Sequence, residues 1–187
     1  MNIRPAVTGD AVALTDLHLD VWDEAYADLI SADVLRDRRK TRSERIRRWR
    51  SALLNDPATT LVAPEEASDR LLGFVTAGPG REPPARRPAA LEVMGLYIRK
   101  EMYGQGLGHA LLQAVIDDRA AYLWILEGNE RASRFYRRQG FRYDGVSKAA
   151  RVGVEHRMVR QRIPAVSPAD ELHMASGASD RRPPGCR

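Results

Sequence analysis

The segment from residue 91 to residue 140 most constrains the fold, because it reads as strand, glycine turn, helix, strand and helix. The turn is Tyr103-Gly104-Gln105-Gly106-Leu107-Gly108. Alternating apolar residues precede the turn, and apolar residues at helical spacing follow it. A glycine-rich turn between a strand and a helix presents backbone N–H groups and the positive end of a helix dipole to one point. The segment therefore predicts a site for a phosphate or pyrophosphate group.

Composition indicates a globular protein that favours anionic ligands. The chain has 187 residues, of which 43% are hydrophobic and 29% are charged, and its net charge is +5. This length suits one domain with a sizeable core. The basic run of residues 36–50 carries Ile46 and Trp49 at helical spacing, so a solvated helix face is favoured over a nucleic-acid surface.

The cysteine and histidine content and the apolar runs of the sequence limit which metal sites, disulfides and cellular locations are expected. The single cysteine, Cys186, allows no disulfide framework within one chain, and the four histidines have no metal-ligand spacing, so no metal is predicted. No apolar run approaches the roughly 20 residues of a membrane span, and residues 1–4 begin no signal peptide. We expect a soluble, cytoplasmic protein without a membrane partner.

Periodicity and turn residues predict the order of the elements. A short strand (3–6) precedes a helix for which Thr8 or Asp10 is the N-cap candidate. A helical stretch (31–54) has a break near residues 39–41, and Asn129 caps a later helix that ends at Gln139. The remaining strands are expected at 59–63, 70–77, 91–98, 121–126, 141–143 and 152–160, and the segment 145–151 reads as a connection.

The C-terminal segment differs in composition from the rest of the chain. From Ile163 onward the sequence is rich in Pro, Ser, Ala, Gly and Asp without any period. Such composition is typical of disorder. The chain is therefore predicted to consist of a domain at residues 1–162 and a disordered tail at residues 163–187.

Two common phosphate-binding loops do not fit the glycine turn. A Walker A loop requires Gly-Lys-Ser/Thr, whereas His109 and Ala110 follow the last glycine here. A dinucleotide fingerprint requires a third glycine, and its position is taken by Leu111 or His109, depending on where the count begins.

A pair of sequence patterns fits instead. The first is Arg/Gln-x-x-Gly-x-Gly/Ala, which Gly106 and Gly108 match, although Tyr103 occupies its first position. The second pattern is Asn-x-x-Ala-x-x-Phe-Tyr-x-x-x-Gly-Phe, and its six defining residues are all present, namely Asn129, Ala132, Phe135, Tyr136, Gly140 and Phe141. With these segments the chain resembles the GNAT superfamily of N-acetyltransferases over about residues 1–160.

The resemblance implies an α/β (α+β) fold with a mixed, partly splayed β-sheet of six to seven strands flanked by about four helices. It also implies acetyl-CoA as co-substrate, with the pantetheine arm paired to backbone groups of Leu96, Tyr97 and Ile98. The implied contacts to the cofactor otherwise come from the turn and from the last helix, at Tyr103, Gly104, Gln105, Gly106, Leu107, Gly108, His109, Asn129, Ala132, Phe135 and Tyr136.

Catalytic and acceptor residues are implied in the same way. Tyr136 is the candidate general acid that protonates the CoA sulfur; the alternative is a tyrosine packed beside Phe135. Glu92 is the candidate base, on a face shared with Met94 and Leu96; the alternative is an exposed carboxylate near the sheet edge. Trp22, Asp23 and Tyr26 would line the acceptor side; the alternative is core packing for Trp22 and solvation for Asp23.

The resemblance therefore predicts an acyl-CoA N-acyltransferase that acetylates an amine, by direct attack in a ternary complex. A small-molecule amine is favoured as the acceptor. A protein or peptide N-acetyltransferase and a non-catalytic sensor that binds acyl-CoA are the alternatives. Homodimers are frequent in this superfamily, so a homodimer stays open.

Overall fold

The computed structural model describes residues 2–27, 29–66 and 68–162. The predicted disordered tail, residues 163–187, lies outside the described residues, so the expected domain boundary at residue 162 stays a prediction.

Seven strands of the described residues form one mixed sheet, as predicted. Their order is β1-β2-β3-β4-β5-β7-β6, and β4 with β5 is the parallel pair while the other neighbours are antiparallel. The strands are β1 (Arg4–Pro5), β2 (Thr59–Pro64), β3 (Leu71–Pro79), β4 (Leu91–Ile98), β5 (Ala121–Leu126), β6 (Arg142–Ala150) and β7 (Gly153–Arg160).

The described part of the chain contains five α-helices, and four of them pack on the two faces of the sheet. The five helices are α1 (Ala11–Tyr26), α2 (Ala32–Lys40), α3 (Arg42–Asn55), α4 (Leu107–Ile116) and α5 (Glu130–Arg138). The predicted break in the second helical stretch is confirmed at Thr41, between α2 and α3. Apolar residues of α1 and α3 pack on one face of the sheet, and those of α4 and α5 pack on the other.

One local prediction is confirmed in part and another is wrong. Asp10, one of the two N-cap candidates, is the N-cap residue of α1, but its side chain makes no capping hydrogen bond to the helix. A short 3-10 turn (Thr8–Asp10) precedes the helix, and the Asp10 carboxylate accepts hydrogen bonds from Arg4 and from the Val7 amide instead. Strand β6 extends well beyond 141–143. It pairs with β7 on both sides of an irregularity between Tyr143 and Ser147, and this tertiary pairing overrides the weak local strand propensity.

A bulge in β4 positions the centre of the molecule. Thr76 of β3 pairs with Gly95, and Ala77 pairs with Val93, so Met94 is an extra residue in β4. The extra residue reverses the alternation of side chains. Leu96 therefore packs with the α4 and α5 core, and the prediction that it shares a face with Glu92 is wrong.

The parallel pair β4–β5 opens immediately after the bulge. Its paired residues are Leu91 with Ala121, Glu92 with Tyr122, and Val93 with Leu123. Within the described residues, the two strands share no further pairs. The sheet is therefore splayed at its centre, and a cleft opens between the carboxyl-terminal halves of β4 and β5.

Candidate active site

The glycine turn gives the cleft its floor at the start of α4. Gly104 and Gly106 have φ angles of 77° and 82°, a left-handed conformation that favours glycine. Gly106 directly precedes α4, so the first N–H groups of that helix face outward at the turn. Gly108 lies against the ring of Phe135, where an added Cβ would come within 3.3 Å of the ring. The turn is thus shaped for close approach of a ligand to backbone N–H groups.

A cleft of about 410 Å³ runs from this turn to the splayed strands. Twelve of the fourteen residues predicted to contact the cofactor line this cleft, namely Leu96, Tyr97, Ile98, Tyr103, Gly104, Gly106, Gly108, His109, Asn129, Ala132, Phe135 and Tyr136. Gln105 and Leu107 are not among the lining residues. The side chain of Gln105 donates to the carbonyl oxygen of Glu101, and Leu107 is fully buried in the core.

The residues present fit an extended pantetheine arm. The β4 segment that follows Val93 has β3 on one side, whereas its other side faces the cleft. Its backbone N–H and C=O groups there need a partner, and an extended amide chain supplies one in the manner of an added strand. The described residues thus offer a backbone edge for the arm and a glycine turn for its phosphates.

Tyr136 lies on the wall of the cleft, in the second turn of α5. Its side chain is almost completely buried and contacts the rings of Phe135 and Phe141. Burial raises the pKa of the Tyr136 phenol above its ordinary value, and the neighbouring phenols Tyr26 and Tyr97 add to this shift. The phenol is therefore protonated at neutral pH and able to donate a proton.

Three polar residues that line the cleft were not predicted from the sequence, namely Arg131 and Arg138 of α5 and Gln139 at its end. The Arg131 guanidinium lies 3.8 Å from the centroid of the Tyr103 ring. Gln139 bonds to His109 at 2.7 Å. The sequence indicates Arg131 only by its position in the first turn of α5, two residues after the N-cap Asn129. The Asn129 side chain accepts a hydrogen bond from the Ala132 amide.

A second, smaller pocket of about 120 Å³ adjoins the cleft; we call it the side pocket. The two cavities share the residues Tyr26, Val93, Met94, Tyr97 and Trp124 at the point where the strands separate. Trp22 and Tyr26, two of the three residues predicted for the acceptor side, line the side pocket, and their role in binding an acceptor stays a prediction. Asp23 does not line it, because its carboxylate bonds to Arg39 of α2.

Glu92 lies in the wall of the side pocket, and the alternative of an exposed carboxylate is wrong. Its side chain is 2% exposed and accepts four hydrogen bonds, from the amide, Nε and Nη2 of Arg81 and from the Tyr122 hydroxyl. Burial raises the pKa of the Glu92 carboxyl, but the Arg81 and Tyr122 donors outweigh burial and hold the pKa below its ordinary value. The carboxylate is therefore ionised and fully engaged.

An aromatic cluster supports the side pocket from α1. The His18 ring contacts the rings of Trp22 and Tyr97, and the Arg38 guanidinium lies 3.5 Å from the centroid of the Trp22 ring. Burial lowers the pKa of His18 to about 3, with the positive charges of Arg38 and Arg45 acting in the same direction. His18 is therefore a neutral packing residue at physiological pH.

Two further features concern the described residues alone. Their histidine, cysteine and acidic side chains form no group of three or more suited to a metal ion. None of their helices combines the length and the hydrophobicity that a membrane crossing requires.

A parallel strand pair that splays over a glycine turn and a helix start defines a class of protein, the transferases that bind acyl-CoA. The chain belongs to the acetyltransferase (GNAT) family, whose sequence profile matches residues 17–141. This match confirms the resemblance seen in the sequence.

Individual relatives agree with this assignment. A phosphinothricin N-acetyltransferase from Streptomyces coelicolor is 28% identical over 152 residues, which are 78% of this chain and 84% of that protein. The fold is similar to that of the PaiA N-acetyltransferase from Thermoplasma acidophilum in complex with coenzyme A (TM-score 0.63, 17% identity, 86% of this chain and 98% of that chain). It is also similar to that of Arabidopsis thaliana NAA60 in complex with a bisubstrate analogue (TM-score 0.61, 18% identity, 85% and 97%).

Proposed function

We propose that this protein transfers an acetyl group from acetyl-CoA to the primary amine of a small molecule, by direct attack in a ternary complex. The observation that carries the proposal is the junction of the two cavities at Met94, Tyr97 and Trp124. A thioester at the splayed end of the cleft and an amine in the side pocket would meet at this junction. Holding both reactants in contact supplies the positioning part of catalysis.

The size of the side pocket favours a small acceptor. Its volume of about 120 Å³ is less than a third of the volume of the cofactor cleft, about 410 Å³, and a space of this size suits a small acceptor. The similarity to a phosphinothricin N-acetyltransferase points in the same direction, because that relative is named for a small-molecule substrate. Phosphinothricin is therefore the first acceptor to test.

In the proposed reaction the amine nitrogen attacks the thioester carbonyl carbon, and the carbon–sulfur bond breaks. The backbone edge of β4 holds the pantetheine arm, and an N–H group of that edge polarises the carbonyl oxygen. The Tyr136 hydroxyl donates its proton to the departing thiolate. Tyr136 suits this role because its phenol is protonated and lies on the cleft wall.

The amine must also lose a proton, and Glu92 stays the prediction for the group that removes it. Because the four lone-pair positions of this carboxylate already accept hydrogen bonds, Arg81 has to move before Glu92 can act. The Arg81 side chain is 63% exposed, so such a movement needs no rearrangement of the core. A water chain is the other route for the proton.

An acetylation screen tests the proposal. Acetyl-CoA is incubated with phosphinothricin, other small primary amines and peptides, and the release of thiol is measured. We expect turnover with a small amine and none with peptides. Turnover with peptides alone would replace this proposal with a peptide N-acetyltransferase. No turnover, together with a rise in melting temperature on addition of CoA, would replace it with an acyl-CoA sensor.

A further inference from the structure

The side pocket contains two carboxylates in different states, and the difference singles out Glu155. Glu92 is buried and accepts four hydrogen bonds. Among the described residues, Glu155 accepts no side-chain hydrogen bond, and its nearest cation, Lys148 Nζ, lies 3.6 Å from Oε2. Only Glu155 therefore has lone pairs available to a ligand without breaking an existing bond.

Backbone pairing fixes the position of Glu155 in the wall of the pocket. Glu155 of β7 lies between Leu126 of β5 and Lys148 of β6 in the paired register. Its side chain is 28% exposed and lines the side pocket together with Trp124. The carboxylate is thus held by a strand and is accessible from the pocket.

The surroundings of Glu155 suit an organic cation. The pocket walls include the rings of Trp22, Tyr26, Tyr97 and Trp124. The ammonium group of Lys148 already makes a cation–π contact with one of these rings, since its Nζ lies 3.8 Å from the centroid of the Trp124 ring. An ammonium group in this place would gain both a carboxylate and aromatic faces, and such contacts strengthen as water is excluded.

We propose that Glu155 binds the ammonium group of the acceptor, in the position from which Lys148 now approaches the carboxylate. This inference rests on the proposed function, because it names the residue that recognises the amine. The ligand class is a small primary alkylammonium ion. Lys148 competes with this ligand, so the two residues should have opposite effects on binding.

Tryptophan fluorescence offers a test that does not require turnover, because Trp22 and Trp124 line the pocket. Wild-type protein is titrated with n-butylammonium chloride at constant ionic strength. We expect a saturable change that is weakened about tenfold in Glu155→Gln, the loss expected for one charge-assisted hydrogen bond. In Lys148→Met we expect binding a few-fold tighter than in the wild type. The control is Glu127→Gln, because Glu127 lies outside the pocket and bonds to His156.

Either of two results overturns the inference: a wild type without saturable binding, or a Glu155→Gln variant that binds within twofold of the wild type. The acetylation screen on the wild type separates this failure from that of the proposed function. If binding depends on Glu155 but no amine is acetylated, the ammonium site is supported and the proposed activity is ruled out. If amines are acetylated and the acceptor KM is unchanged in Glu155→Gln, the activity is supported and the ammonium site is ruled out.

Discussion

The cofactor cleft and the side pocket share a wall, yet they are built in different ways. The cleft is formed mainly by one continuous segment, 91–140, and its decisive features are backbone features, namely a bulge, a splayed pair and a glycine turn. The side pocket is formed by side chains from α1, β4, β5, β6, β7 and the β3–β4 connection. Backbone recognition suits a ligand common to a whole family, whereas side-chain recognition suits a ligand that differs between members.

The largest expected effect concerns the one side chain of the cleft to which we give a chemical role. Tyr136→Phe removes the proposed proton donor and should lower kcat by about 100-fold or more, since general acid catalysis contributes typically 10²–10⁴. The KM for acetyl-CoA should hardly change. Steady-state kinetics measures both constants, with Tyr143→Phe, an exposed tyrosine of β6, as the control. A kcat within threefold of the wild type would contradict the role of Tyr136.

Arg81→Gln tests whether the side pocket depends on its buried ion pair. The change leaves Glu92 buried without a full charge partner and should lower the free energy of unfolding by about 2 kcal/mol at pH 7.5, a value reduced for the exposure of Arg81. Without Arg81 the pKa of Glu92 should lie above its unfolded value. The deficit should therefore shrink as the pH falls and Glu92 becomes protonated.

Urea unfolding at pH 7.5 and pH 4.5 measures this dependence, with Arg86→Gln on the same connection as the control. In the wild type the pKa of Glu92 is lowered, so its stabilising contribution is present above the unfolded pKa and is lost as the pH falls. An equal deficit at both pH values would show that Arg81 does not act through the charge of Glu92.

Gly106→Val tests whether backbone conformation governs the cleft. We expect CoA affinity about tenfold lower by calorimetry, because valine strains a left-handed position at the turn that precedes α4. Gly145→Val is a matched control. Gly145 has a φ of 83° and open space around its Cβ position, as Gly106 has, but it lies on β6 outside the cleft. Equal losses of CoA affinity in both variants would point to general destabilisation.

Arg131→Gln should have the smallest effect. The guanidinium over Tyr103 places a positive charge beside the glycine turn, where the family segment has Arg or Gln at the position of Tyr103. We expect CoA to bind about threefold more weakly, the loss of one exposed charge contact. The affinity for pantetheine, which lacks phosphates, should stay unchanged. Arg134→Gln on the same helix is the control, and an equal loss with pantetheine would contradict a phosphate contact.

The cleft could be predicted from the sequence because its determinants are local. Glycines at Gly104 and Gly106 are required by left-handed backbone, and Asn129 caps α5 as its sequence position indicates. Twelve of the fourteen predicted contact residues line the cleft. Gln105 and Leu107 do not, since neighbouring residues of one turn point in different directions and only the folded backbone determines which.

The side pocket could be predicted only in part, because its residues meet through tertiary structure. Nothing near Glu92 in the sequence indicates that Arg81, in the β3–β4 connection, donates three hydrogen bonds to its carboxylate. The place of Glu155 in the side pocket could not be predicted from the sequence for the same reason. Its neighbours Leu126 and Lys148 become adjacent only when β7 inserts between β5 and β6, and β6 itself was predicted too short.

The extra residue Met94 determines which face of the sheet each later side chain of β4 points to. In an unbroken strand, residues an odd number apart point to opposite faces, yet Tyr97 packs with the α1 and α3 core on the Glu92 side of the sheet. Any substitution at position 94 preserves this parity. Deletion of one residue would invert it, turning Leu96 and Ile98 toward α1 without altering a single side chain. Geometry at the junction is thus encoded by chain length, a property that comparisons of residue identity do not detect.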